Sequence, residues 1–256
     1  MSSSADFLTT GGGKLYIKPI VLGVKQPMQY FGATDTVTLS SAVEYIEHKS
    51  TESRVAVTDK KVAKSRTATL NFTTGEISPD MLARAFQGEK VDVEQAEGTA
   101  VAKTLVGVKV GYIYDLGLVN ITSIVVKNTD NATTYVEGTD YNYDKNTGYF
   151  ELVEGGTITE ASTINLTVNH GAYTKTNVAA LMGSQLEAEL VFISDPQAGQ
   201  KYRYTFKKVS ISATGDLALK SEEFATITFE GEALVDDSVT DPTLSSFFDM
   251  ELLPND

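Results

Sequence analysis

Cysteine and tryptophan are absent from this 256-residue chain, and histidine occurs only twice. Without cysteine there is no disulfide framework, no thiolate nucleophile and no sulfur-ligated metal site. Positive charge is also scarce: 21 Lys and Arg stand against 34 Asp and Glu, a net charge of −13. Proteins that grip nucleic acid do so with clustered Lys and Arg. The balance therefore excludes a dedicated nucleic-acid binder, but not a surface that phosphates pass without sticking. No apolar run approaches the roughly 20 residues that span a bilayer. The opening MSSSAD lacks a basic region followed by an apolar stretch, so no secretory signal is expected and the chain reads as soluble and made in a cytoplasm.

What is plentiful is Thr, Val, Gly and Tyr, with 41% apolar and 21% charged residues, the balance of a folded chain. Together with a single convincing helix start, that mix predicts a mostly antiparallel β protein with one helix.

Residues 37–88 carry the clearest pattern. Val37, Leu39, Ser41, Val43 and Tyr45 fall on one side of an extended run that ends in Glu47, His48 and Lys49. A polar loop follows, with Lys60, Lys61, Lys64 and Arg66 near its return, and then Ala68, Leu70 and Phe72 alternate with hydroxyl residues as in a half-buried strand. Ser78, Pro79 and Asp80 open a helix by capping, fixed φ and dipole complementarity. Ile77 and Leu82 are spaced for a hydrophobic staple, and Gly88 is placed for a left-handed stop. The loop over 49–66 is as long as structureless loops become in compact domains. The spacing of its Val55, Val57 and Val62 reads as a β-arm that becomes ordered on a partner.

Five segments are expected. Residues 1–13 end in three glycines and form a flexible arm until something outside the monomer orders them. Residues 14–115 and 172–235 form one discontinuous β domain, opening with a strand that puts Leu15 and Ile17 on one face. Between them, residues 116–171 show short strands and turn signals at the spacing of a small Ig-like sandwich. Residues 236–256 are acidic yet carry Phe247 and Phe248, the pattern of an arm that docks on a neighbour.

Motifs for chemistry are missing. His48 and His170 belong to no HExxH pattern, no Ser lies in a GxSxG elbow, and Gly11 to Lys14 has the wrong spacing for a phosphate loop. Asp140, Asn142 and Asp144 have the first spacings of a calcium loop, but Lys145 replaces its glycine, so the segment reads as a hairpin turn. The adjacent pairs Glu222–Glu223 and Asp236–Asp237 would point apart and read as solvated acids. No enzyme activity, cofactor or metal is expected.

The early LYIK strand at 15–18, SAVEYIEH at 41–48 and LNFTTGEISPDMLARAFQG at 70–88 together resemble the major tail tube proteins of long-tailed, siphovirus-like bacteriophages. FKKVSISATGDLAL at 206–219 and FATITFE at 224–230 are similar too. The resemblance covers the chain outside 116–171. It implies a tail-tube-type β-sandwich or barrel with one flanking helix; the inserted Ig-like module departs from the family's minimal pattern. It further implies a virion protein, made in the host bacterial cytoplasm, that forms hexameric rings stacked into a hollow tube. Its partners would be further copies of itself and the tape-measure, tail-tip initiator and terminator proteins. Duplex DNA would pass through without specific binding, and no membrane is implied. Inter-subunit contacts are expected at Arg54, Lys60, Lys61, Lys64, Arg66, Phe247 and Phe248, and lumen-facing acids at Glu230 and Glu232. The alternative is an adhesin-like or carbohydrate-binding β protein stacking sugars on Tyr135, Tyr141, Tyr143 and Tyr149.

Overall fold

The computed structural model describes residues 10–50, 55 and 57–254. Strands make up 55% of the chain and helix 3%, so the mainly β expectation holds. Two compact units form: Met1–Lys90 with Val178–Asp256, and Val91–Asn177. The first segment carries β1 (Gly13–Val21), β2 (Val24–Lys25), β3 (Gln29–Tyr30), β4 (Thr36–Ser50), β5 (Val57–Thr74) and α1 (Pro79–Ala85). β6 (Glu89–Gln95) leads out of it. β7 (Gly98–Val106), β8 (Ile113–Asp115), β9 (Ile121–Asn128), β10 (Tyr141–Tyr143), β11 (Tyr149–Leu152) and β12 (Thr163–His170) follow. β13 (Tyr173–Ala179) pairs with β6 on the way back. β14 (Leu186–Ser194), β15 (Tyr202–Thr214), β16 (Ile227–Ala233) and β17 (Phe248–Leu252) end the chain.

The first unit is one antiparallel sheet in the order β2-β1-β14-β15-β16-β5-β4, with β3 on β1 and β17 on β15. Alternation puts Leu15, Ile17, Leu70, Phe72, Leu190, Phe206, Ile211 and Phe229 on one buried face. Phe31 meets Phe72 and Phe229 edge-on at 4.9 and 5.4 Å, and Phe72 stacks on Phe229 at 5.3 Å. Helix α1 starts as expected: Ser78 Oγ accepts from the Met81 N–H at 3.3 Å, and Met81 and Ala85 are buried in the sheet's core. Its end differs from expectation by one residue. Gln87 takes the left-handed conformation (φ 47°), and the Gly88 N–H closes the cap on the Ala83 carbonyl at 2.8 Å. Glycine is needed at 88 for another reason, because a Cβ there would sit 2.8 Å from the Ala179 carbonyl oxygen.

Three expectations for this unit are corrected. The glycines at the N-terminal arm are not loose: Gly12 O accepts from Asp195 N–H at 3.0 Å, and Gly13 pairs with Ser194. A Cβ on Gly13 would lie 2.5 Å from the Ile193 carbonyl oxygen, so these glycines permit close backbone approach. Residues 1–9 lie outside the described residues. The C-terminal segment does not wait for a neighbour, since β17 pairs with β15 and Phe248 stacks on Phe206 at 5.2 Å. The 49–66 excursion is strand on both sides, Lys49 and Ser50 pairing with Thr58 and Val57.

The second unit has two three-stranded antiparallel sheets, β10-β11-β8 and β7-β12-β9. Tyr141, Phe150 and Leu152 from one share a core with Ile124, Val126, Ile164 and Leu166 from the other. It is larger than the expected 116–171 because β7, expected in the first domain, pairs with β12 from Val101↔Val168 to Val106↔Thr163. Residues 157–158 lie outside any strand, although Ile158 is buried.

Candidate functional site

β5 joins β16 only from Thr69 to Thr74. From Ala42 to Ser50, β4 pairs with β5 residues 57–67 and with no other described strand. These residues form a two-stranded arm about 30 Å long at the usual rise per residue. β4 is the last strand of the sheet, so its outer edge is an unpaired row of backbone donors and acceptors among the described residues. Val43, Tyr45, Ile46, Val57 and Val62 are all exposed on the arm. A two-stranded ribbon with apolar side chains on both faces and no third layer is marginal in water.

Polar side-chain pairs link the two strands of the arm. Lys64 Nζ donates to Glu44 Oε1 at 2.8 Å, Lys61 Nζ lies 3.0 Å from Glu47 Oε1, and His48 Nδ1 lies 2.6 Å from Asp59 Oδ1. Lys61 also sits over the Tyr45 ring at 4.4 Å. Hydrogen bonds from Lys64 and Ser65 hold the Glu44 carboxyl below its ordinary value, and Lys61 does the same for Glu47. Lys61 and Lys64, expected to contact a neighbour, are thus engaged within the hairpin. Lys60 and Arg66 carry no ion pair among the described residues and remain available. Arg54 lies outside the described residues. Phe247 and Phe248 are spent on the chain's own core.

The sheet's other face is polar. Cross-strand register lines up Thr36, Thr73, Thr228 and Thr214 in one row, and Thr38, Asn71, Glu230 and Ser212 in the next. A third row runs Ser40, Thr69, Glu232, Ser210 and Glu187. These rows contain hydroxyls, one amide and carboxylates, without a large apolar side chain. Glu187 is paired with Lys208 at 3.1 Å, whereas Glu230 and Glu232 are exposed and have no cation partner among the described residues. They lie two residues apart on one strand, so both carboxylates point the same way.

Sequence reasoning missed a charge cluster at the sheet's opposite end. Glu189, nearly buried on β14, accepts from Lys18 Nζ at 2.6 Å and Lys25 Nζ at 2.9 Å, and Lys25 also reaches Asp236 at 3.0 Å. Asp236 therefore belongs to a buried network, not to a solvated acidic face. The register Lys18↔Glu189 and the β1–β2 pairing Ile20↔Lys25 help bring these residues together, and nothing local announces the cluster.

The other candidate residues are structural. Asp140 is buried and accepts the Val136 N–H, the Thr157 N–H and the Thr157 hydroxyl, while Asp144 caps the turn at Asn146 and Thr147. Their carboxylates serve different turns, and no cluster of three His, Asp or Glu that could hold a metal exists among the described residues. His170 is buried with its Nδ1 3.1 Å from Gln95 Nε2. Tyr141 is buried against Phe150 at 5.3 Å, and Tyr135 and Tyr143 pack on the same core. Of the four tyrosines expected to stack sugars, only Tyr149 faces outward. No helix is long and apolar enough to cross a membrane among the described residues.

Fold and surfaces together define a two-unit, mainly β protein whose principal sheet ends in an open edge and an exposed hairpin. The chain belongs to the family described as protein of unknown function UCP028589, whose model matches residues 8–251. A search of curated proteins found no match.

Proposed function

We propose that the chain is a structural subunit that polymerises through its open sheet edge, as in the tail tube of a long-tailed bacteriophage. Copies join into hexameric rings, rings stack into a hollow tube, and duplex DNA passes through the lumen. The observation that carries the proposal is the β4–β5 arm. A 15-residue edge strand whose outer side is unpaired among the described residues, with exposed Val43, Tyr45 and Ile46, is a surface that soluble proteins normally blunt or cover. A neighbour's sheet covers it, and a head-to-tail contact of this kind closes a ring or extends a filament. Lys60 and Arg66 contact the adjoining copy. Tape-measure, initiator and terminator proteins set the tube's length and ends.

The rows containing Glu230 and Glu232 line the lumen in this reading. Carboxylates and hydroxyls without cations repel phosphate over a range that screening limits to about 8 Å at physiological salt. Negative-stain electron microscopy of the purified, concentrated chain, beside its sedimentation profile, tests the proposal. Hollow tubes or stacked rings are the expected result. Particles that stay monomeric at every concentration, even when seeded with tail-tip complexes, would overturn it.

A further inference from the structure

The arm has a second open edge. β5 is bonded to β16 only from Thr69 to Thr74, so from Val57 to Thr67 its side away from β4 pairs with no described strand. The two edges differ in charge. Over 42–48, β4 carries Glu44 and Glu47 and neither lysine nor arginine. Over 60–67, β5 carries Lys60, Lys61, Lys64 and Arg66 and no acid, in a chain whose net charge is −13. An acidic strand and a basic strand thus lie side by side in one hairpin, each with its outer side unpaired among the described residues.

The register spreads these charges over both faces of the ribbon. On one face Glu47 opposes Lys61 and Val43 opposes Arg66; on the other Glu44 opposes Ser65 and His48 opposes Lys60. Each face therefore holds one glutamate and one cation, Arg66 or Lys60, that carries no ion pair among the described residues. A carboxylate accepts from several donors, so a glutamate held by its own lysine can take a second cation from the other side.

We infer that the arms of successive copies pair with one another, the outer edge of β4 in one copy against the open edge of β5 in the next. The inference deepens the polymerising role proposed above and rests on it. Rotation about an axis along the arm keeps every β5 pointing the same way. β4 therefore meets the neighbouring β5 antiparallel, as it already meets its own, and each acidic strand lies between two basic ones. Opposite charges directly across an antiparallel pair stabilise it, and like charges do the reverse. That sets a head-to-tail contact, because β4 against a second β4 would bring glutamates together. The same ladder sets Tyr45, Ile46 and Val62, exposed in the single hairpin, beside the side chains of another strand.

The chain's lack of cysteine makes this contact readable. Full-length Ile46→Cys chains are mixed with size-tagged chains carrying Thr58→Cys, Val62→Cys, Ala63→Cys or Ser65→Cys in turn, a series that samples successive registers. After assembly and mild oxidation, at least one mixture should give a disulfide-linked heterodimer, resolved by the tag on a denaturing gel. Ile46→Cys chains alone should stay monomeric on the same gel. Dimers of Ile46→Cys chains alone would mean that two β4 edges meet, and tubes without a cross-link in any mixture would mean that the arms do not pair. Both results overturn the inference and leave the polymerising role standing, whereas chains that do not assemble even when seeded with tail-tip complexes would overturn both. A second readout uses the two cations that the monomer does not pair. Lys60→Glu with Arg66→Glu should raise the concentration needed for assembly about tenfold or more, with unchanged circular dichroism, because like charges then face each other across the contact. An unchanged threshold would overturn the inference as well.

Discussion

Glu189 would be costly to bury alone; burial raises its pKa, but the hydrogen bonds from Lys18 and Lys25 more than offset this and hold it below the ordinary carboxylate range. Asp236 is lowered by the Ser238 hydroxyl and, against its burial, by Lys25. Burial lowers Lys25, and its two carboxylate partners raise it further, so it stays charged. The two acids are depressed in the folded chain. Their stabilisation is therefore complete above the unfolded values near pH 4 and is lost as pH falls through the lower folded ones. Lys25→Met should cost roughly 2 kcal/mol at neutral pH, less than a fully buried broken pair because the lysine is about one-third exposed. The cost should shrink as pH falls through the folded values and the two acids become protonated in either state. Thermal unfolding of both chains across that range checks it, and an equal loss at pH 3 and pH 7 would refute the role given to the network. In the second unit, Gly148 has φ 74°, and a Cβ there would lie 1.9 Å from the Leu118 carbonyl oxygen. Gly148→Ala should cost about 2 kcal/mol or more, from strain and backbone displacement together. A melting temperature unchanged by the substitution would show that the turn can relax.

At the scale of elements, the β4–β5 arm is separable from the core that carries it. Every described residue of β4 from Ala42 to Lys49, and of β5 from Val57 to Thr67, is exposed, while burial begins at Ala68. Replacing residues 43–66 with a two-residue turn should keep the β circular-dichroism signature and shift unfolding by no more than about 1 kcal/mol, since exposed ion pairs contribute little. The same chain should no longer form tubes. Loss of the β signature would place the arm in the core. The core strands were legible in the sequence because alternation reports burial directly: Leu15 and Ile17, Leu70 and Phe72, and Ile227 and Phe229 are where period two puts them. The cap of α1 was legible because Ser78 and Pro79 act locally. The sequence left open whose surface an apolar pair covers. Phe247 and Phe248 look the same whether they dock on a neighbour or, as here, on Phe206 of their own chain. β7 alternates alike for either unit, and only pairing with β12 assigns it to the second. β6 escaped because its exposed Lys90, Asp92 and Glu94 leave no buried face to read.

For the whole molecule, the proposed tube turns on which face of the principal sheet would line its lumen. Glu230 and Glu232 are exposed and without cation partners among the described residues, and both lie among hydroxyl side chains on a face that contributes nothing to the core. Replacing both should therefore change stability by no more than about 0.5 kcal/mol. If this face lines a channel, Glu230→Lys with Glu232→Lys converts a repelling ring into an attracting one while leaving the β4 edge untouched. Tubes should still assemble. They should retain duplex DNA at low salt, with binding that falls steeply as salt rises, because phosphate affinity is set by counterion release. Tubes of the parent chain should retain none. Cosedimentation with short duplexes small enough to enter the tube, at two salt concentrations, reads both effects. Reversed tubes that ignore DNA as the parent does would move the lumen to another face. Failure of the doubly substituted chain to assemble while remaining folded would place Glu230 and Glu232 at a contact between copies, where a carboxylate meets the unpaired Lys60 or Arg66 of a neighbour.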